Sequence, residues 1–177
     1  MAGHSKWKQI KHKKAATDAK KSKVFGKLAR LISVESKKAD GNTQAPGLRL
    51  AIERAKAANM PSDNIERAVQ KGKTDQNAAL DTVIYETYGP GGTALIIEGL
   101  TDNRNRTSAE IRHLLSLHGS ELASPGAALW AFKKDSGGSF EPQTSVELSD
   151  DDAERLSELV EALEEHDDIQ EVYTNAA

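Results

Sequence analysis

The first 30 residues hold a dense group of cationic side chains around one tryptophan. Ten of them are Lys or Arg, and only Asp18 is acidic. Lysine ammonium groups bind phosphate oxygens as point charges, and an indole stacks on an unpaired base for about 1–3 kcal/mol. We therefore predict nucleic-acid binding by a set of side chains in this segment. The set is Lys6, Trp7, Lys8, Lys11, His12, Lys13, Lys14, Lys20, Lys21, Lys23, Lys27 and Arg30.

The same side chains also have structural interpretations. Trp7 can be a hydrophobic anchor that packs a basic arm onto the following helices, and His12 can be a solvated or capping residue. The lysines can line a solvated helix face, although such faces usually mix both signs of charge. Because a block of like charge repels itself unless a polyanion neutralises it, RNA, DNA and anionic lipid are the candidate partners.

A second candidate site is the segment TDNRNRT, residues 101–107. Arg104 and Arg106 lie between a predicted strand and the predicted N-terminus of a helix capped at Thr107. Guanidinium forks and backbone N–H groups at such a place bind phosphate or carboxylate. In the alternative interpretation, Asp102 and the asparagines tie the loop to itself, and the arginines pair with acidic residues of their own domain. The sequence leaves both open.

The sequence shows no catalytic apparatus. The absence of cysteine excludes disulfides, thiolate nucleophiles and iron–sulfur clusters. His113 and His118 have no obvious third metal ligand nearby, and no nucleophile elbow or paired carboxylates stand out. The acidic runs at 150–152 and 164–168 suit the solvation of helix ends better than a cation. We predict a non-enzymatic binding protein without cofactor or metal. The alternative from another class is an enzyme that uses the acidic region with a metal.

The charge is divided between two parts of the 177-residue chain. Residues 1–74 carry 18 basic and 6 acidic residues, whereas residues 75–177 carry 6 basic and 21 acidic ones. We predict a basic helical nucleic-acid-binding domain over 1–74 and an acidic α+β domain over 80–177. No apolar run is long enough for a membrane span, and the lysine-rich N-terminus lacks a signal-peptide core. We therefore expect a cytoplasmic protein without a membrane partner.

Apolar periodicity predicts three helices in the basic domain. They cover residues 16–38, 46–58 and 62–72, with Gly72 as the C-terminal stop of the last. Together they predict a small three-helix bundle, with a basic arm over residues 1–15 before it and a polar linker over 74–80 after it.

The acidic domain shows the alternation of strands. The predicted strands are 82–88, 93–100, 127–133, 144–148 and 169–174, with a tight glycine turn at 89–92 and helices after Thr107 and Ser149. From residue 93 the order is βαββαβ, as in ferredoxin-like folds, with an extra strand in front. The predicted fold class is multi-domain, α and α+β: an N-terminal three-helix bundle followed by a ferredoxin-like α+β domain with an extra N-terminal strand.

Five motifs in register resemble the YebC/PmpR family. They are GHSKW (3–7), IKHKKAATDAKKSKVFGKL (10–28), ANMP (58–61), YGPGG (88–92) and TDNRNRT (101–107), and the segment 159–175 is similar to the family's C-terminal end. The resemblance implies a helical N-terminal domain and two α+β domains, the middle one inserted into the third. Only a glycine/serine linker near residues 135–142 stands at that place, which implies a short form without the inserted domain.

The resemblance implies a nucleic-acid-binding regulator of gene expression. The family includes proteins described as DNA-binding transcriptional regulators, the mitochondrial translational activator of cytochrome oxidase subunit one, and bacterial translation factors that relieve ribosome stalling at proline-rich stretches. The residues favour RNA, because a basic arm with one aromatic suits irregular phosphate surfaces and no base-reading helix stands out. We expect ribosomal RNA or the ribosome as partner, with double-stranded DNA as the alternative. The sequence leaves the oligomeric state open.

Overall fold

The computed structural model describes residues 6–13, 18–75 and 79–177. These residues fall into two compact units. The helical unit lies within residues 16–80, and the sheet unit combines residues 81–177 with the N-terminal helix α1 (Lys6–Lys13). In the described part of the chain, no helix is both long and apolar enough to span a bilayer.

The helical unit consists of three helices around one apolar core. They are α2 (Asp18–Lys38), α3 (Pro46–Ala57) and α4 (Ser62–Thr74), close to the predicted ranges. Ile32, Leu48 and Ile65 are buried in the shared core. Left-handed backbone at Asp40 and Gly41 turns the chain after α2, where the sequence predicts the stop.

Gly72 does not end the third of these helices as predicted but lies inside α4, where it is buried against α2. A Cβ atom at this position would lie 2.2 Å from the carbonyl oxygen of Ser33. The hydroxyls of Ser33 and Ser36 donate to the carbonyls of Ala68 and Val69, at 3.0 and 2.7 Å. Gly72 therefore permits close helix packing, and α4 continues to Thr74 because nothing at Gly72 breaks it.

The sheet unit has a three-stranded antiparallel sheet in the order β1-β2-β5. Its elements after α1 are β1 (Asp81–Tyr88), β2 (Ala94–Thr101), α5 (Arg104–Leu117), β3 (Phe132–Lys134), β4 (Phe140–Pro142), α6 (Asp150–Glu165) and β5 (Ile169–Thr174). The glycine segment 89–92 is a hairpin turn as predicted, with φ of 70° at Gly91 and 76° at Gly92.

Strand β2 is covered on both faces. Leu95 and Ile97 lie in the larger core, which α5 and α6 complete. Ala94 and Ile96 lie on the opposite face, where Phe132 and other residues of the β3–β4 region cover them. This two-sided burial explains why the sequence of β2 is an almost continuous apolar run.

The α and α+β fold class is confirmed, but the predicted ferredoxin-like sheet is not formed as one layer. Strands β3 and β4 pair with each other and not with β2, because β1 and β5 occupy both edges of β2. The predicted strand 127–133 is a short 3₁₀ turn followed by β3. The predicted strand 144–148 contributes only a single bridge, from Val146 to Ala176. Asp135–Ser139, predicted as a linker, forms the turn between β3 and β4.

Candidate nucleic-acid interface

Within the basic arm, Lys6–Lys13 form the helix α1, which belongs to the sheet unit. Helix α1 packs against α6, and its Trp7 is only 7% exposed, in one core with Leu159 and Leu163. The predicted stacking of Trp7 on a base would require the ring to leave this core, because it is enclosed. The alternative interpretation as an anchor fits the structure, except that Trp7 anchors α1 to the sheet unit rather than to the bundle.

Helix α1 also carries exposed cations beside this core. Trp7 and Ile10 point inward, whereas Lys8 and Lys11 are exposed and share one side of the helix. The ammonium group of Lys6 lies 3.4 Å from the carboxylate of Glu154 on α6. Three further predicted ligands, His12, Lys13 and Lys14, have side chains outside the described part of the structure.

Helix α2 carries the remaining predicted lysines and Arg30. Lys20, Lys23, Lys27 and Arg30 are half-buried and recur at steps of three and four residues, which places them along one side of the helix. The core residues Phe25, Leu28 and Ile32 lie on the opposite side by the same periodicity. Lys21 is exposed near the start of α2. The stripe of four cations is called the α2 stripe below.

The two arginines of the TDNRNRT segment both pair with acidic residues of the sheet unit. Arg104 lies 3.0 Å from Asp81 in an exposed pair. Arg106 lies 2.9 Å from Asp168 and 3.0 Å from Asp102. Its hydrogen bond to Asp168, followed by that to Asp102, raises the pKa of Arg106 above its ordinary value. These contacts match the structural interpretation of the segment.

Helix α5 begins three residues before the predicted cap. The side chain of Asn103 accepts the N–H of Arg106 at 3.0 Å and so caps the helix. Thr107 is buried within the first turn, where its hydroxyl lies 2.7 Å from Thr101 and 2.7 Å from Asp168. Thr107 therefore forms buried hydrogen bonds inside α5, and the helix begins earlier, at the cap Asn103.

Three side chains of types that can bind a metal lie close together near this segment. The sequence did not predict that they would meet. Candidate ligand atoms of Glu110, His166 and Asp168 lie within 4.8 Å of one another. Nε2 of His166 is 2.6 Å from Glu110, and the backbone N–H of Asp168 donates to Nδ1. The proton of a neutral His166 therefore sits on Nε2 and faces Glu110. Since Arg106 and Thr107 already engage Asp168, the cluster is a hydrogen-bond network that a metal would have to displace.

Comparison with known proteins gives the family. The model of the TACO1/YebC protein N-terminal domain matches residues 5–75. The model of the TACO1/YebC second and third domain matches residues 80–141 and 134–176.

Individual relatives agree with this match. A protein of Pelotomaculum thermopropionicum named "Probable transcriptional regulatory protein" is 38% identical over 238 residues, covering 99% of this chain and 98% of the relative. A protein of the same name from Halothermothrix orenii is 46% identical over 166 residues, covering 93% of this chain and 63% of the relative.

A solved structure also matches. The crystal structure of a conserved hypothetical protein from Aquifex aeolicus has a TM-score of 0.78 and 32% identity, covering 98% of this chain and 97% of that one. Both family models, the named relatives and this structure match along nearly the whole sequence, and the chain therefore belongs to the TACO1/YebC family.

Proposed function

We propose that this protein is a cytoplasmic, non-enzymatic regulator of gene expression that binds ribosomal RNA and relieves ribosome stalling at proline-rich stretches. Family membership and the regulatory names of the relatives support a regulator. The observation that carries the nucleic-acid part is the α2 stripe, with four cations along one side of a single helix. The exposed Lys8 and Lys11 on the anchored helix α1 add to it.

The chemistry of these cations favours RNA over a specific duplex. A helix that reads the major groove combines arginine or lysine, which bind guanine, with asparagine or glutamine, which bind adenine, at the base edges. The α2 stripe presents three lysines and one arginine without asparagine or glutamine, and the exposed residues of α1 are Lys8, Gln9 and Lys11, so that point charges suited to phosphates on an irregular surface predominate. The alternative, a DNA-binding transcriptional regulator, is favoured by the names of the relatives.

Ribosome co-sedimentation beside a duplex gel-shift assay separates these two functions. The variant Lys20→Gln/Lys23→Gln/Lys27→Gln should lose co-sedimentation. The control Lys56→Gln/Lys71→Gln/Lys73→Gln removes the same charge from exposed positions of α3 and α4 and should retain it. A sequence-specific duplex shift without ribosome binding would establish the alternative. Stimulation of a proline-rich reporter in a cell-free translation system tests the relief of stalling.

We also propose that residues 135–142 stand where the family carries its inserted domain. Two observations support this. The two matches to the second and third domain meet at residues 134–141. The alignment to the Pelotomaculum protein spans 238 positions, against the 177 residues of this chain. In this proposal the short hairpin turn replaces a domain.

A further inference from the structure

An exposed aromatic group lies on the sheet unit, outside the predicted site. Trp130 is 61% exposed and Tyr88 is 38% exposed. Among the large hydrophobic side chains that the structure describes, only Leu117 is more exposed than Trp130. Because an indole contributes a large apolar area when it is covered, an exposed one marks a candidate interaction surface.

Hydrogen bonds fix the direction of this indole. Nε1–H of Trp130 donates to the hydroxyl oxygen of Tyr88 at 2.8 Å, and that hydroxyl donates to the carbonyl oxygen of Ala127. The polar edge of the ring is thereby satisfied within the protein. What the ring offers to a partner is its face, which suits stacking rather than hydrogen bonding.

The backbone before Trp130 is held by a buried carboxylate. Glu86 on β1 is 6% exposed and accepts the N–H groups of Gly126, Ala128 and Leu129 at 2.7, 2.8 and 2.9 Å. Hydrogen bonds to an ionised acceptor are stronger than neutral ones. The fold therefore holds Trp130 outward on a braced segment, which lowers the entropy cost of binding.

Positive charge follows the indole directly in the chain. Lys133 and Lys134 are both exposed and are the only lysines between residues 81 and 177, a range with 20 acidic residues. The ammonium group of Lys134 lies 5.3 Å from the ring centre of Phe140. The two lysines in this acidic region are therefore placed within four residues of its most exposed aromatic ring.

We propose that Trp130, supported by Tyr88, stacks on an unpaired base of single-stranded RNA while Lys133 and Lys134 contact the adjoining phosphates. A rigid aromatic face combined with nearby cations is the arrangement that binds single strands without reading their sequence. The proposal rests on the proposed function, since it adds a second contact for the same RNA. It places that contact on the sheet unit, separate from the α2 stripe.

The test measures binding of the full chain to a short fluorescein-labelled oligouridine by anisotropy. Trp130→Ala should weaken binding about fivefold or more, whereas Trp130→Phe keeps a stacking face and should retain most of it. Leu117→Ala is the matched control, because Leu117 is 67% exposed, against 61% for Trp130, but lies on α5. Lys133→Gln with Lys134→Gln should reduce the steepness of the log–log salt dependence by about 1.4. Oligouridine should quench the tryptophan emission of the wild type but not that of Trp130→Phe, since Trp7 is enclosed.

The outcomes separate this inference from the proposed function. If the wild type binds RNA and Trp130→Ala binds it equally well, the stacking site is wrong while the proposed function stands. An equal loss of oligouridine binding in Trp130→Ala and Leu117→Ala would also overturn it. So would a Trp130→Ala variant that loses binding to a protein partner while its RNA binding is unchanged. If the wild type binds neither oligouridine nor ribosomal RNA, the proposed function itself fails.

Discussion

Arg106 on α5 donates a hydrogen bond of 2.9 Å to the carboxylate of Asp168, although 62 residues separate the two in the chain. The side chain of Asp168 is only 8% exposed and also accepts the hydroxyl of Thr107 at 2.7 Å. This contact joins the first turn of α5 to the segment between α6 and β5. A buried carboxylate needs such partners, because its desolvation is otherwise uncompensated.

The first prediction separates the two arginines of this segment. Arg106→Ala should lower the melting temperature clearly, because it leaves Asp168 buried without its cation. Arg104→Ala should change stability by no more than about 1 kcal/mol, since it removes one exposed ion pair with Asp81. Circular dichroism melting and RNA binding are measured on the same preparations. If Arg106→Ala melts at the wild-type temperature but binds RNA more weakly, Arg106 is an RNA ligand and not a structural tether.

The second prediction concerns the anchor of α1. Trp7→Ala should destabilise the sheet unit by about 3–5 kcal/mol, because it leaves a cavity beside Leu159 and Leu163. Lys8→Ala with Lys11→Ala should leave stability unchanged and weaken RNA binding, since both side chains are exposed. Denaturant unfolding and anisotropy distinguish the two roles. A fully stable Trp7→Ala protein with weaker RNA binding would instead support base stacking by Trp7.

Local periodicity was enough to predict α2, α3, α6 and β5. Their apolar spacing lies in the sequence itself, and the acidic run at 150–152, which predicts the start of a helix, forms the first turn of α6. The docking of α1 could not be predicted in this way. Trp7 and Ile10 show only that α1 has an apolar side, and two surfaces, the bundle and α6, were available to cover it. Such a choice depends on contacts between residues more than 80 positions apart, which no local pattern contains.

Long-range contacts also decide which of the two tryptophans is exposed, and local sequence patterns do not reveal it. Trp7 lies among lysines and Trp130 in an apolar run, so the sequence favours Trp7 as the exposed ring and Trp130 as a strand residue. The structure reverses this, because Glu86 draws the backbone of residues 126–129 into a turn and directs Trp130 outward. A glutamate within a strand pattern gives no sign that its partners lie about 40 residues away.

The third prediction tests this brace. Glu86→Gln keeps the shape of the side chain but replaces one accepting oxygen by an NH₂ group, so at least one backbone N–H loses its acceptor. Stability should fall by about 1–3 kcal/mol, and iodide quenching of Trp130 should change as the segment loosens. Glu121→Gln is the control, because Glu121 is exposed. Unchanged stability and quenching in Glu86→Gln would show that the brace is dispensable.

The fourth prediction follows from Tyr85. Burial raises the pKa of Tyr85 above its ordinary value, with Arg104 opposing the shift and Asp168 adding to it. Because the folded state favours the neutral phenol, its contribution to stability is complete below the unfolded pKa. It is lost as the pH rises through the folded pKa, above about pH 10. Tyr85→Phe should therefore lose less stability than the wild type between neutral and strongly alkaline pH. Urea unfolding at both pH values measures this, and equal losses would show that Tyr85 does not titrate during unfolding.

The last prediction concerns the salt dependence of RNA binding. If roughly six of the ten cations before residue 31 neutralise phosphates, the slope of log affinity against log salt should be about −4. Removing three members of the α2 stripe, in Lys20→Gln/Lys23→Gln/Lys27→Gln, should make the slope less negative by about 2, because each phosphate contact contributes about −0.7. The control Lys56→Gln/Lys71→Gln/Lys73→Gln has the same net charge and should keep the wild-type slope. Equal slopes in the two variants would mean that RNA responds to the overall charge of the helical unit and not to the α2 stripe. A wild-type slope near zero would contradict phosphate binding altogether.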